Sequence, residues 1–589
     1  MLKRLKMVTG QYKKLPYGVK KEEKPNKLVS KRRPKIMDYS KHFNTKATPQ
    51  TKPIPGREED MARNNAGGYG FKMQPKDMLD RFLILGTEGG TYYVNEAKLT
   101  EKAALNTIDC IKADGIGTVN RIVEISEAGR APKNSPALFA LALCTAPQFA
   151  DVETRRAAFN VLPKVARIGT HLFEFVTYMQ SLRGWGKLAQ QGIQKWYQEK
   201  EPDYLEYQMV KYRQRGGWTH NDVLRLAKPR PVSPEHDMLY EFAKKGYISD
   251  KSTRGEESRH FPLIEGLNAI QTASTVAEAV KCIVEYRLPM EAIPTEFKKE
   301  PAVWEALLPQ LPITATIRNL RNMAKCGFLV PMSEASKTVA DRISSEEIIR
   351  KGRVHPMQFL NAILNYPEGS LRVVNMSGFG FSHTVKKSLD ETWPVAPNVV
   401  EALNEGFMLG FQNVVPSGRP TMLALDVSGS MGWQWCAGSN GITPREASAA
   451  MALITANVEP NHVITVFKND IEQFTGIRKG MYVDAAIKAV SRLQFGGTDA
   501  SLPMKWAIDN KMPIEMFQVY TDNETWAGPK HTCQRLRDHR KAFGVKAKFA
   551  SIAMAGNGSS VCDPNDPDML DVMGFDTATP RILAEFAVM

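Results

Sequence analysis

The chain has 589 residues, 43% of them hydrophobic and 24% charged, with a formal net charge of +15. Such a chain divides into roughly two to four domains with a large buried core, and the composition excludes a disordered or fibrous protein. No apolar run approaches the roughly 20 residues of a membrane helix, the basic start MLKRLKMVTGQYKKLPYG lacks the apolar stretch of a secretory signal, and the seven cysteines form no CxxC pair. A zinc ribbon and a disulfide framework are therefore not expected, and a cytoplasmic protein is.

Residues 1–60 carry 17 Lys/Arg against 6 Asp/Glu and no apolar period, and read as a basic disordered arm. From about 75 to 370 one helical pattern follows another, as in PALFALALC, HLFEFVTYMQSLRG, GKLAQQGIQKWYQEK, TVAEAVKCIVEYRL, PITATIRNLRNMAKC and HPMQFLNAILNY. Pro163 is expected to break RRAAFNVLPKVARI in two. Residues 61–414 thus read as an all-α helical-repeat domain without a strict repeat period. From 415 to 589 the short β-rich runs TMLALDVS, HVITVFK, MFQVYTD and AKFASIAMA alternate with helical stretches. That alternation predicts an open, mostly parallel sheet with helices on both faces, whose ligands bind beyond the carboxyl ends of the strands.

LALDVSGSMGW, residues 423–433, ends the first of those strands. Asp426, Ser428 and Ser430 are hard oxygen ligands, with Gly429 expected to permit a tight turn between the serines. Thr498 in FGGTDAS and Asp522 in VYTDNET fall on later loops at the same sheet edge. The five together resemble the metal-ion-dependent adhesion site of von Willebrand factor A domains, which holds Mg²⁺, Mn²⁺ or Ca²⁺ and leaves a coordination position for an acidic group of a partner. The plain alternative is that the serines only cap the next helix. A serine nucleophile is disfavoured by the absence of a GxSxG elbow. His462, His531 and His539 read as surface or structural histidines.

Longer stretches carry a second resemblance: NNAGGYGFKMQPKDMLDRFLILGTEGGTYY, RIGTHLFEFV, KYRQRGGWTHNDVLRLAKPRP, PITATIRNLRNM, GGTDASLPMKWA, TDNETWAG and MLDVMGFDT. Over roughly residues 62–589 the chain resembles the Ro ribonucleoprotein autoantigen family, whose N-terminal part is the TROVE module. The resemblance implies HEAT-like helices closed into a monomeric ring by the A domain. It implies binding of Y-type small noncoding RNA on the outer surface, and of single-stranded 3′ ends of misfolded RNA in the central hole, in RNA quality control. It also implies an exoribonuclease partner and no catalysis by the chain itself.

The charge pattern points to the same region, since residues 151–230 hold 14 Lys/Arg against 8 Asp/Glu. Arg155, Arg156, Lys164, Arg167, Lys211, Arg213 and Arg215 are the candidate phosphate contacts, with Trp185, Trp196, Tyr212 and Trp218 interleaved for stacking on unpaired bases or for helix packing. From the residues alone, His171 opens a helix after Thr170, the expected N-cap, and is a capping or packing histidine; the match of RIGTHLF to the family's motif implies contact with Y RNA. Two other functions compete. One is a metal-dependent protein-interaction adaptor acting through the A domain. The other is a nuclease or hydrolase, disfavoured because the site has two carboxylates and three hydroxyls and the chain has no Walker A sequence.

Overall fold

A computed structural model describes residues 47–87, 95–249, 260–376, 383–412, 414–433, 435–436 and 441–589, with the side chains of 371–390 left aside. Helices fill the first half, and their starts follow from capping chemistry. Asn95, Asp114, Asp151, Ser233 and Ser333 each accept a backbone amide of the helix they open, and Thr219 with Asp222 and Thr275 with Glu278 form capping boxes. As expected, the chain breaks at Val161, between Val152–Asn160 and Leu162–Val165, with Pro163 in the first turn of the second piece. Ser135–Cys144 is apolar all round and is buried from Ala137 onward, at the centre of the array.

The array closes on itself. The ring of His355, at the start of Pro356–Asn365, donates to the backbone oxygen of Arg130, just beyond Gly115–Ala128, at 3.2 Å. Segments of the array from Lys133 to Asn319 border a cavity of about 1650 Å³. Among the described residues no helix is long and apolar enough to cross a membrane.

The second half is built on six strands: β1 Thr421–Asp426, β2 His462–Phe467, β3 Ile471–Gln473, β4 Met516–Thr521, β5 Lys548–Ala553 and β6 Met569–Met573. Their order is β6-β5-β4-β1-β2-β3, and every pairing is parallel except the edge pair β2–β3. β1 and β4 are buried along their whole length, so both faces of the sheet are covered. The four β-rich runs read from the sequence are β1, β2, β4 and β5; β3 and β6 are short and were not anticipated.

One expected boundary is corrected. The basic arm lies outside the described residues up to residue 46, but residues 47–60 are packed against the A domain. Gln50 is fully buried, its side chain donating to Asp499 and the oxygen of Lys530 and accepting from Thr525 and the amide of Gly528. Arg57 makes a two-pronged ion pair with Asp563. Strands Met61–Arg63 and Tyr69–Lys72 extend to Ser559–Ser560 in one small sheet. Composition hid this because the contacts rest on isolated side chains, polar Gln50 and Arg57 and apolar Ile54, Met61 and Phe71, rather than on an apolar period. The A domain thus touches both ends of the array: Arg81 pairs with Asp571 and Arg130 with Asp576 at one end, and Asn404 accepts the amide of Val483 at the other.

Candidate metal centre and nucleic-acid interface

Parallel neighbours β1 and β4 end side by side, which places Asp426 next to Thr521 and Asp522. The Thr521 hydroxyl donates to Asp426 Oδ2 at 2.6 Å, and the Ser428 amide to Asp426 Oδ1 at 2.8 Å. The chain then enters the short helix Gly429–Trp433, bringing the Ser428 and Ser430 hydroxyls within 3.2 Å of each other. Gly429 does not serve as expected. Its φ is ordinary and an added Cβ would meet nothing within 4 Å, so the turn comes from the helix start and not from glycine freedom. Its amide donates to Gly496 O, joining this loop to FGGT, and Thr498 O accepts the amides of Trp526 and Ala527 from the loop after Asp522. The structure thus brings all five predicted ligands, each at most 3% exposed, to one sheet edge.

Burial, and then the charge of Asp522, push the Asp426 carboxyl well above the usual range; burial also raises Asp522. Asp522 Oδ1 accepts the Glu524 amide and the Ser430 hydroxyl faces the same carboxyl, whereas among the described residues the buried Oδ2 makes no full hydrogen bond. Two buried, mutually repelling carboxylates, a bare carboxylate oxygen and three hydroxyls form a donor set that fits a hard divalent cation. Sequence reasoning missed Thr521, which orients Asp426, and Glu524, which grips Asn65 and the amide of Ala66. The TDNET stretch held both, but only the paired ends of β1 and β4 give them meaning.

The basic residues divide into two groups. Lys211, Arg213 and Arg215 border the cavity together with Tyr212. The hairpin Gln214–Arg215/Trp218–Thr219 turns through Gly216 and Gly217, both at positive φ, so RGGW is a two-residue turn of the primed kind. It leaves Arg213 and Arg215 exposed. Lys211 is more constrained than expected: it donates to Tyr207 Oη at 2.7 Å and has Glu291 at 4.0 Å. Lys133 and Arg318, not anticipated, border the same space.

Arg155, Arg156, Lys164, Arg167 and His171 do not border it. Arg156 and Lys164 are exposed, and Arg155 folds back on the oxygen of Asp151. The helix at His171 is Gly169–Leu182 with Ile168 as its cap, so Thr170 is not the N-cap and His171 lies within the first turn. Burial and the charge of Arg167 hold the imidazole down at about 4, neutral at pH 7. Of the stacking candidates, Trp196 is fully buried and donates to Ala166 O, a packing role. Trp185 and Trp218 pack half-buried on the core.

Residues 62–377 match the TROVE domain and residues 420–587 the Ro60 vWA domain. A protein of Deinococcus radiodurans named RNA-binding protein RO60 is 36% identical over 92% of this chain and 97% of its own length. The chain belongs to the Ro60 family. An RNA-binding protein RO60 of Caenorhabditis elegans is 30% identical over 90% of each chain. The crystal structure of the Deinococcus radiodurans Ro (RSR) protein superposes with a TM-score of 0.65 at 34% identity, over 87% of this chain and 99% of that one. Helical ring and A domain are thus the architecture of a Ro60 relative along nearly the whole chain.

Proposed function

We propose that this Ro60-family chain is an RNA-binding protein that acts by holding RNA rather than by catalysis. The observation that carries the reading is the central cavity, bordered by Lys133, Lys211, Arg213, Arg215 and Arg318 against only Glu174 and Glu291. A space of about 1650 Å³ with that excess of cations and Tyr212 on its wall suits a single-stranded RNA end. In this reading misfolded noncoding RNA enters by its 3′ end, and Y-type RNA is held by the second group, Arg155, Arg156, Lys164, Arg167 and His171, in a monomeric cytoplasmic particle. The names of the relatives support the RNA; the choice of RNA is the proposal's own.

Small RNAs recovered and sequenced after crosslinking and stringent pulldown of the full chain test the reading; recovery of no enriched RNA sinks it. Arg213→Glu with Arg215→Glu is expected to weaken binding of a labelled RNA with a single-stranded 3′ tail by more than about tenfold at moderate salt. Unchanged affinity would remove the cavity as the tail's site.

Asp426, Ser428, Ser430, Thr498 and Asp522 would hold the divalent cation, Mg²⁺ foremost, as one ligand set. Bound there, it supplies a positive centre with a coordination position open to a carboxylate. Two exposed aromatics give the adaptor reading an observation of its own. Phe495 lies over Gly432 and Trp526 over Gly497, on the loops that carry the ligands, and they are 46% and 41% exposed. An exoribonuclease or another partner with an acidic residue is the fitting class. Partner capture that survives both EDTA and Asp426→Ala would count against this role.

A further inference from the structure

The loops that carry Thr498 and Asp522 are held from outside the A domain, by the segment ahead of the first helix. Gln50 lies between the two loops and uses every hydrogen-bonding position of its amide there. Its nitrogen donates to Oδ1 of Asp499, the neighbour of Thr498, at 2.7 Å, and to Lys530 O at 3.0 Å. Its oxygen accepts from the Thr525 hydroxyl and the Gly528 amide. Thr525 Oγ1 in turn accepts the Ala500 amide at 3.2 Å, so the loops are tied to each other where Gln50 joins them.

A second grip acts on Asp522. The fully buried Glu524 donates its amide to Asp522 Oδ1 at 3.0 Å. The Glu524 carboxylate accepts from the Asn65 side chain at 2.6 Å and from the Ala66 amide at 3.0 Å. Asn64 donates to Thr525 O at 2.8 Å, and the Tyr69 amide donates to Gln50 O at 2.7 Å, which joins both grips in one piece of chain. The seat is close: a Cβ at Gly68 would collide with the backbone of Thr525 and Trp526. Gln50 and Asn65 belong to no part of the five-residue donor set, yet they fix where two of its members stand. Mg²⁺ demands near-ideal octahedral geometry with oxygens at roughly 2.1 Å, so small displacements of a ligand loop weaken binding.

We propose that Gln50 and Asn65 are positioning residues of the cation site, so that docking of residues 47–72 and occupancy by a divalent cation strengthen each other. This rests on the cation reading of the sheet edge and adds the control of that site. The linkage is reciprocal: whatever factor the docked segment adds to cation affinity, the bound cation adds to docking.

Asn65 is exposed, so Asn65→Ala is the variant that should fold. The probe is Mn²⁺ alone, titrated into the full chain and followed by the magnetic-resonance signal of the free ion. Its affinity is expected to fall about tenfold in Asn65→Ala, the low end for outer-shell partners of a metal site. Asn65→Asp, which sets a second carboxylate against Glu524, should lose more. Gln50→Ala should lose at least as much as Asn65→Ala, which decides alone should Gln50→Ala not fold. In the parent, Mg²⁺ should slow amide exchange over residues 64–69, and Asp426→Ala should abolish that slowing. Parent-like Mn²⁺ affinity in Asn65→Ala overturns the proposal and leaves the cation reading standing. A lower melting temperature with unchanged Mn²⁺ affinity marks the contacts as structural only and also overturns it. Exchange over residues 64–69 that ignores Mg²⁺ in a parent that binds it removes the linkage. Failure of the parent to bind Mn²⁺ fells the cation reading and the proposal together.

Discussion

Asp522 Oδ2 is a buried carboxylate oxygen that makes no full hydrogen bond among the described residues, and Asp426 is held beside it by hydrogen bonds from Thr521 and Ser428. A cation relieves both the desolvation and the repulsion, so Mg²⁺ should stabilise the folded chain by about 3 kcal/mol at a hundredfold excess over its dissociation constant. Thermal unfolding with Mg²⁺ and with EDTA checks this, and Asp426→Ala should abolish the difference. Outside the sheet edge, one buried carboxyl is pushed up toward neutrality. Glu206, on the helix Pro202–Lys211, is 2% exposed and accepts the Ile264 amide at 3.0 Å, and burial pushes its carboxyl up to about 7. The folded chain therefore keeps this proton between pH 4.5 and 7 while the unfolded chain loses it. Its contribution is fully present below about pH 4.5 and is lost as pH rises through 7, a change on the order of 3 kcal/mol. Glu206→Gln keeps the acceptor without the charge. Denaturant unfolding should show parent and variant stabilities diverging as pH rises from 5 to 8, the parent losing more.

Among the elements, the segment ahead of the first helix matters most for the A domain. It was read as part of a solvated arm, yet Gln50 alone makes four side-chain hydrogen bonds to residues 499–530. Gln50→Ala leaves buried partners unsatisfied and should cost about 2–4 kcal/mol, with amide exchange rising over residues 47–72 in preference to the helical array. Equal exchange changes everywhere would mean that this segment is no separate latch. The same segment reaches the metal loop, since Asn65 and Ala66 hold Glu524, two residues after Asp522. The Gly216–Gly217 turn was not read from the sequence either, although its paired glycines are the local signal for it. RGGW demands positive φ at both glycines and displays Arg213 and Arg215 as a consequence.

For the whole molecule, the alternation of apolar runs fixes four of the six sheet strands in their parallel setting, and the helical period fixes the array. The convergence of Asp426, Ser428, Ser430, Thr498 and Asp522 was legible because strand ends in a parallel sheet share one edge, so a motif split over about 100 residues reassembles predictably. The nucleic-acid candidates were legible only as a charge density. That count merged cavity-facing Lys211, Arg213 and Arg215 with residues placed elsewhere and passed over Lys133 and Arg318. By itself, then, the sequence determined a helical array followed by an α/β domain with a cluster of hard oxygen donors at its sheet edge, because periodicity, capping and strand-end chemistry are local. The contacts that close the ring, which only the family resemblance implied, together with the docking of residues 47–72 and the surface each arginine occupies, were decided by tertiary structure. They rest on single contacts such as His355 with Arg130 and Gln50 with Gly528, hundreds of residues apart, which leave no period for a sequence to display.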